Sequence, residues 1–218
     1  MNWLRALSSS VGKKFLMAIT GLLLCGFLIA HLGGNLLMYA GPEAYNDYAH
    51  KLHENEGLLM VAETGLFGIF ILHIYLAFSV SAENRRARGQ EYAVSNPKGE
   101  GDGIGFGRPD TWMMISGLII LAYLFLHMFD FKLEMRSDVT YEGKTPFEKA
   151  QALLHTPLTL IGYFLGQLFL IFHLMHGVMS AFQSLGLNHS KYNRCIQWGS
   201  VLFAFAVGFG FMSFLFLI

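Results

Sequence analysis

With 54% hydrophobic residues and 14% charged ones, this chain of 218 residues falls well short of the charge of a soluble domain, where about a quarter of residues are ionic. Fifteen basic residues balance fifteen acidic ones. With zero net charge and no long basic stretch, nucleic-acid binding is excluded. The mean hydropathy is +0.44, and the apolar residues gather into long runs. In chain order, five runs reach the roughly 20 residues that a bilayer demands: 15–39, 58–82, 111–131, 158–185 and 196–218. The expected fold is therefore an all-α membrane bundle of five transmembrane helices forming one domain over 1–218. Lys13 and Lys14 precede the first run as in a signal peptide, but its length and the lack of a small-residue cleavage site predict that it stays.

Tyr39, Trp112, Tyr123 and Trp198 lie towards the ends of these runs, as expected of interfacial belts. Basic residues set the orientation. Arg5, Lys13, Lys14, Arg85, Arg86, Arg88, Lys98, Arg108, Lys191 and Arg194 fall on one side, against Lys51, Lys132, Arg136, Lys144 and Lys149 on the other. The positive-inside rule predicts a cytoplasmic N-terminus. Residues 83–110 contain Gly99, Gly101, Gly103, Gly105 and Gly107, yet no strand precedes them, so a connector is expected rather than a phosphate loop. Cys25 and Cys195 have no metal-ligand spacing and read as small apolar filler.

Five of the nine histidines lie inside apolar runs: His31, His73, His127, His173 and His176. An imidazole in hydrocarbon is costly without a partner, which makes each a candidate site residue. Helices one and three run outward, and His31 and His127 each lie about 16 residues in, a depth of about 24 Å. Helices two and four run inward, placing His73 and His173 about nine and eleven residues from the cytoplasmic side, roughly 14 to 17 Å deep. The four histidines thus form two pairs at two depths. Facing imidazoles on different helices suit haem iron, whereas two per level with no carboxylate suit zinc poorly. His176 shares a face with His173 and is a second candidate at its level, either as ligand or as partner to a propionate or quinone.

The chain resembles the di-haem, five-helix cytochrome b membrane anchor of succinate:quinone oxidoreductases and quinol:fumarate reductases. The resemblance covers nearly the whole length. It rests on Ser9-Ser10-Val11-Gly12-Lys13-Lys14, Ala30-His31-Leu32, Gly41-Pro42-Glu43-Ala44-Tyr45-Asn46 and Leu72-His73-Ile74-Tyr75. Leu126-His127-Met128 follows, then Phe172-His173-Leu174-Met175-His176-Gly177 and Phe182-Gln183-Ser184-Leu185-Gly186-Leu187-Asn188-His189. It implies two b haems, a distal one on His31 and His127 and a proximal one on His73 and His173, the pairing that the depths also give. It also selects His173 over His176 as ligand. An FAD-containing flavoprotein subunit, an iron–sulfur subunit and membrane quinone (menaquinone favoured) are the implied partners, in a bacterial cytoplasmic membrane. The chain itself lacks the nucleotide fingerprint and cysteine clusters to hold FAD or an iron–sulfur cluster.

Quinone chemistry moves protons with electrons, so a titratable group is expected beside it. Glu63 reads as the one carboxylate well inside an apolar run and is the expected proton-transfer residue, with His50, Glu54 and Glu56 just above it. Lys13, Lys14, Arg85 and Arg108 are candidates for haem propionates, and His189 with residues 188–194 for docking the iron–sulfur subunit. Gly162 and Gly166 form a small-xxx-small pair for close helix packing. Two other readings stand beside this one. One is a di-haem cytochrome of a formate dehydrogenase or hydrogenase. The other is a haem-free transporter or scaffold whose histidines relay protons.

Overall fold

The computed structural model describes residues 3–87 and 109–217. After a short helix α1 (Trp3–Leu7), Ser9 caps α2 (Ser10–Asn35) by accepting a hydrogen bond from the Gly12 amide, and α2 tightens into a 3-10 turn over Leu36–Ala40. There follow α3 (Pro42–Glu54), α4 (Glu56–Ala87), α5 (Pro109–Phe131), α6 (Pro146–Leu154), α7 (Pro157–Ser184) and α8 (Asn193–Leu217). Five of these are long and apolar enough to cross a membrane: α2 with its 3-10 turn, α4, α5, α7 and α8. The helices overrun the apolar runs, most clearly in α4, whose 32 residues continue to Ala87. Backbone hydrogen bonding does not stop where hydrocarbon ends, so polar turns extend into the interface.

The short helices α3 and α6 lie in what the sequence reading leaves as loops. Their signals are local. Gly41, at φ 102°, reverses the chain ahead of Pro42, which occupies the first turn of α3. Thr145 and Glu148 form a capping box ahead of α6, with Pro146 in the first turn. The two helices pack on each other, joined by the Phe147 amide donating to Asn46 Oδ1 at 3.0 Å, and close one end of the bundle.

Helix α7 is the centre of the molecule. It packs against α2, α5 and α8, while α4 rests on α2 and barely touches α5. Leu170, Ile171, Leu174 and Val178 of α7 form the main buried cluster with Ala204 and Val207 of α8. Close approach is bought with glycine: a Cβ at Gly166 would strike the Tyr123 ring, one at Gly162 would meet Leu126, and one at Gly208 would strike Ile171. Gly162 and Gly166 thus receive α5, as expected of the small-xxx-small pair. In cross-section α4, α2, α7 and α5 form a four-membered ring, with α8 outside on α7 and α2. Across that ring α2 stands diagonal to α5, and α4 diagonal to α7.

Candidate functional site

The ring is hollow. One continuous cavity of about 1850 Å³ runs along it, lined by His31, His73, His127, His173 and His176. Small-molecule pockets span roughly 300–1,000 Å³, so this space exceeds what one ordinary ligand fills. Each of the four ring helices contributes a histidine, and the diagonals bring them together. His31 on α2 faces His127 on α5 with ring centres 5.8 Å apart and planes at 80°. His73 on α4 and His173 on α7 lie within electrostatic reach of each other. A Cβ at Gly21 would sit 3.3 Å from His73 Cε1, and one at Gly117 would sit 3.7 Å from His173 Cε1, so glycines leave the space beside both rings open.

A ring nitrogen of each of these histidines has a polar neighbour, and for His73 and His173 that neighbour is a hydroxyl outside the cavity lining. Thr20 Oγ1 lies 3.0 Å from His73 Nδ1 and also 3.0 Å from the Leu16 and Met17 carbonyls of its own helix. A carbonyl can only accept, so the hydroxyl proton goes there and its lone pair takes the Nδ1–H of His73. Ser116 repeats this on α5, at 3.1 Å from both His173 Nδ1 and the Met113 carbonyl. At the other level, His127 Nδ1 is 3.2 Å from the Tyr163 hydroxyl, and His31 Nδ1 is 3.4 Å from the Asn35 side-chain NH2, a donor that also bonds the His31 carbonyl at 2.7 Å. With Nδ1 protonated, as at His73 and His173, Nε2 carries the lone pair, and that is the tautomer a metal needs. His176 donates Nδ1–H to the Phe172 carbonyl of its own helix at 3.3 Å, with no cross-helix partner of this kind among the described residues. Phe27 stacks on His31 at 5.3 Å, and Phe131 lies 5.2 Å from His127.

The ends of the cavity are polar. Lys14, Asn84, Asn193 and Arg194 line the end near the N-terminus, and His53, Glu134, Tyr141 and Lys149 line the end closed by α3 and α6. Of the cations expected to reach into this space, Lys14 does so. Lys13 does not: it pairs with Glu83 and donates to Ser79 Oγ at 2.9 Å, a tie between α2 and α4. Arg85 is exposed, and Arg108 lies outside the described residues. Arg194 and Lys149 carry no motif and emerge only from the geometry. His189, Glu54, Glu56 and His50 are exposed.

Glu63 sits near the α3/α6 end of α4, paired with Lys132 at 2.5 Å and 36% exposed, outside the cavity wall. It is not the deepest carboxylate. Asp130, at the end of α5, is fully buried and lines the cavity. Arg136 Nη1 donates to it at 3.0 Å, and Arg136 in turn grips Asp138 through Nε at 2.7 Å and Nη2 at 2.5 Å. Thr156 and Thr159 each accept from Arg136 at 3.2 Å. The sequence places Asp130 at the edge of an apolar run, where a wetted carboxylate is the ordinary outcome. Only the fold-back of the 132–145 segment onto α7 buries it.

Comparison with known protein families, with curated proteins and with solved structures finds no match to this chain.

Proposed function

We propose that this chain is a di-haem cytochrome b that anchors the soluble subunits of a succinate dehydrogenase or fumarate reductase and exchanges electrons with membrane quinone. The observation that carries the reading is the hollow ring with a histidine pair on each diagonal, the Nε2 lone pairs of His73 and His173 left for the cavity. Two imidazoles ligating one metal at about 2 Å per bond hold their ring centres roughly 6 Å apart, and His31 and His127 stand at 5.8 Å. The space between the helices matches two large planar groups, and cations at both ends complement carboxylates on them. The class of partner rests on the sequence resemblance alone.

His31 and His127 would hold the distal group, and His73 and His173 the proximal one, with His176 the secondary candidate at that level. Each b haem, when bound, supplies a one-electron carrier whose potential follows its axial ligands and surroundings. The chain's own residues do the rest. Thr20 and Ser116 hold the proximal imidazoles in the ligating tautomer, Phe27 and Phe131 restrict ring rotation, and the apolar wall excludes water. Lys14 and Arg194 at one end, and Lys149 at the other once it leaves its 2.6 Å pair with Glu134, would receive the carboxylates. The end bearing the N-terminus faces the cytoplasm in this reading, where the flavoprotein and iron–sulfur subunits dock, in a bacterial cytoplasmic membrane. Glu63 is the proposed proton donor to quinone (menaquinone favoured), and Lys132 releases it as the proton moves.

The test is isolation of the tagged chain from its native membranes with whatever soluble subunits accompany it, assayed for succinate-dependent quinone reduction. Succinate activity with a flavoprotein and an iron–sulfur subunit present supports the assignment. Activity with formate or hydrogen instead assigns the chain to another dehydrogenase. Within that complex, Glu63→Gln is expected to lower quinone-linked turnover at unchanged haem content; unchanged turnover removes Glu63 from the proton path.

A further inference from the structure

The pattern at the His73 and His173 level has a requirement that the other level meets differently. Thr20 and Ser116 accept from their histidines because their own protons are taken by backbone carbonyls one turn back. Tyr163 cannot do this, since a phenol oxygen stands too far from its own backbone to bond the preceding turn. Left with a free proton, the Tyr163 hydroxyl would donate it to His127 Nδ1. The imidazole proton would then sit on Nε2, facing the cavity, and the ring could not ligate a metal through that atom.

Asp130 supplies the missing acceptor. Its carboxylate lies beside the Tyr163 phenol, since Asp130 Oδ2 meets Thr159 Oγ1 at 3.5 Å one turn before Tyr163 on the same face of α7, and an ionised carboxylate can only accept. Both residues are buried, Asp130 at 0% and Tyr163 at 3% exposure, so water does not compete for these bonds. Arg136 Nη1 donates to the carboxylate at 3.0 Å, and Arg136 is itself fixed by Asp138 and by the Thr156 and Thr159 hydroxyls. An acceptor at Asp130 sends the chain of bonds one way, from His127 Nδ1–H to the Tyr163 oxygen at 3.2 Å, and from the Tyr163 O–H to Asp130.

We propose that Tyr163 and Asp130 are a positioning pair that fixes the ligating tautomer of His127 and, through it, tunes the group held between His31 and His127. This rests on the reading of His127 as a haem ligand. A histidine whose Nδ1–H meets an acceptor donates more strongly to a metal, which favours the oxidised state. Removing the acceptor is therefore expected to raise the potential of that level and weaken its hold.

The test uses the full chain purified with its haem, by redox titration, low-spin electron paramagnetic resonance and haem transfer to apomyoglobin. Tyr163→Phe keeps the ring packing and removes the acceptor. One of the two haem signals should move to higher potential with an altered spectrum, and its transfer should quicken roughly 10- to 100-fold while the other stays. Ser116→Ala should move the second signal and spare the first. If Tyr163→Phe is not produced in membranes, Asp130→Asn is scored the same way, with the same signal expected to move. Wild-type-like potentials and spectra at two haems per chain in the phenylalanine variant, or in the asparagine variant scored in its place, overturn the proposal. A wild-type chain without haem overturns the functional reading itself, a separate result.

Discussion

At the scale of single residues, position along a helix was enough to pair the histidines, because a fixed rise per residue converts sequence number into depth. His31 with His127, and His73 with His173, follow from that arithmetic, and the structure sets the His31 and His127 rings 5.8 Å apart, nearly perpendicular. What sequence could not supply is rotation about each helix axis, which depends on packing. Thr20, Ser116 and Tyr163 therefore carry no signal of their own until α2, α5 and α7 are placed. Asp130 was hidden for the same reason, its burial depending on how Arg136, six residues on, folds back and on Thr159 of α7. The pairing has a direct consequence in single variants. His31→Ala and His127→Ala should each lose the same haem, His73→Ala and His173→Ala should each lose the other, and His176→Ala should keep both. Haem content and residual spectrum of the five purified variants check this. Loss of different haems by His31→Ala and His127→Ala would break the diagonal assignment.

Helices α2, α4, α5, α7 and α8 were legible as elements because each must fill a bilayer with apolar residues. Helices α3 and α6 were not, being short and polar enough to resemble loops, although the Gly41-Pro42 and Thr145-Pro146 starts were there to read. The contact of α5 with α7 depends on Gly166. A methyl there meets the Tyr123 ring, and such overpacking costs about 1–3 kcal/mol. Gly26, with nothing within 4 Å of an added Cβ, is the matched control. Gly166→Ala is expected to lower the thermal midpoint in detergent, and Gly26→Ala to leave it nearly unchanged. Equal midpoints for the two would contradict this packing.

The segment that carries Asp138 and the start of α6 also responds to pH. Hydrogen bonding from Arg136 holds the Asp138 carboxyl below its ordinary 3.8. The Thr145 backbone N–H, with its hydroxyl, holds Glu148 below its ordinary 4.5. Depressed values mean that the folded chain binds these protons less readily than the unfolded one. Their stabilisation is thus present above the ordinary values and lost as pH falls through the lower folded ones. Near-ultraviolet circular dichroism should stay constant from neutrality to about pH 5 and change only in more acid solution. A transition centred above pH 5 would exclude these two carboxylates as its cause.

At the scale of the whole molecule, the distribution of packing is the informative feature. Helices α7 and α8 bury the largest shares of their apolar windows, 39% and 44%, whereas α4 and α5 bury 11% and 6%. A bundle optimised only for helix contact would close the space between α4 and α5. This one keeps it open, with one cavity of about 1850 Å³ along the ring and histidines at two levels inside. The proposed account explains the loose side and the hollow together: α4 and α5 would complete their packing against what lies between them. The most direct measurement is a pyridine haemochromogen assay on the purified chain, paired with a reduced-minus-oxidised spectrum. The account predicts two b haems per polypeptide with low-spin bands. A well-folded chain from haem-replete cells that carries none would contradict it and leave the histidines to a haem-free role.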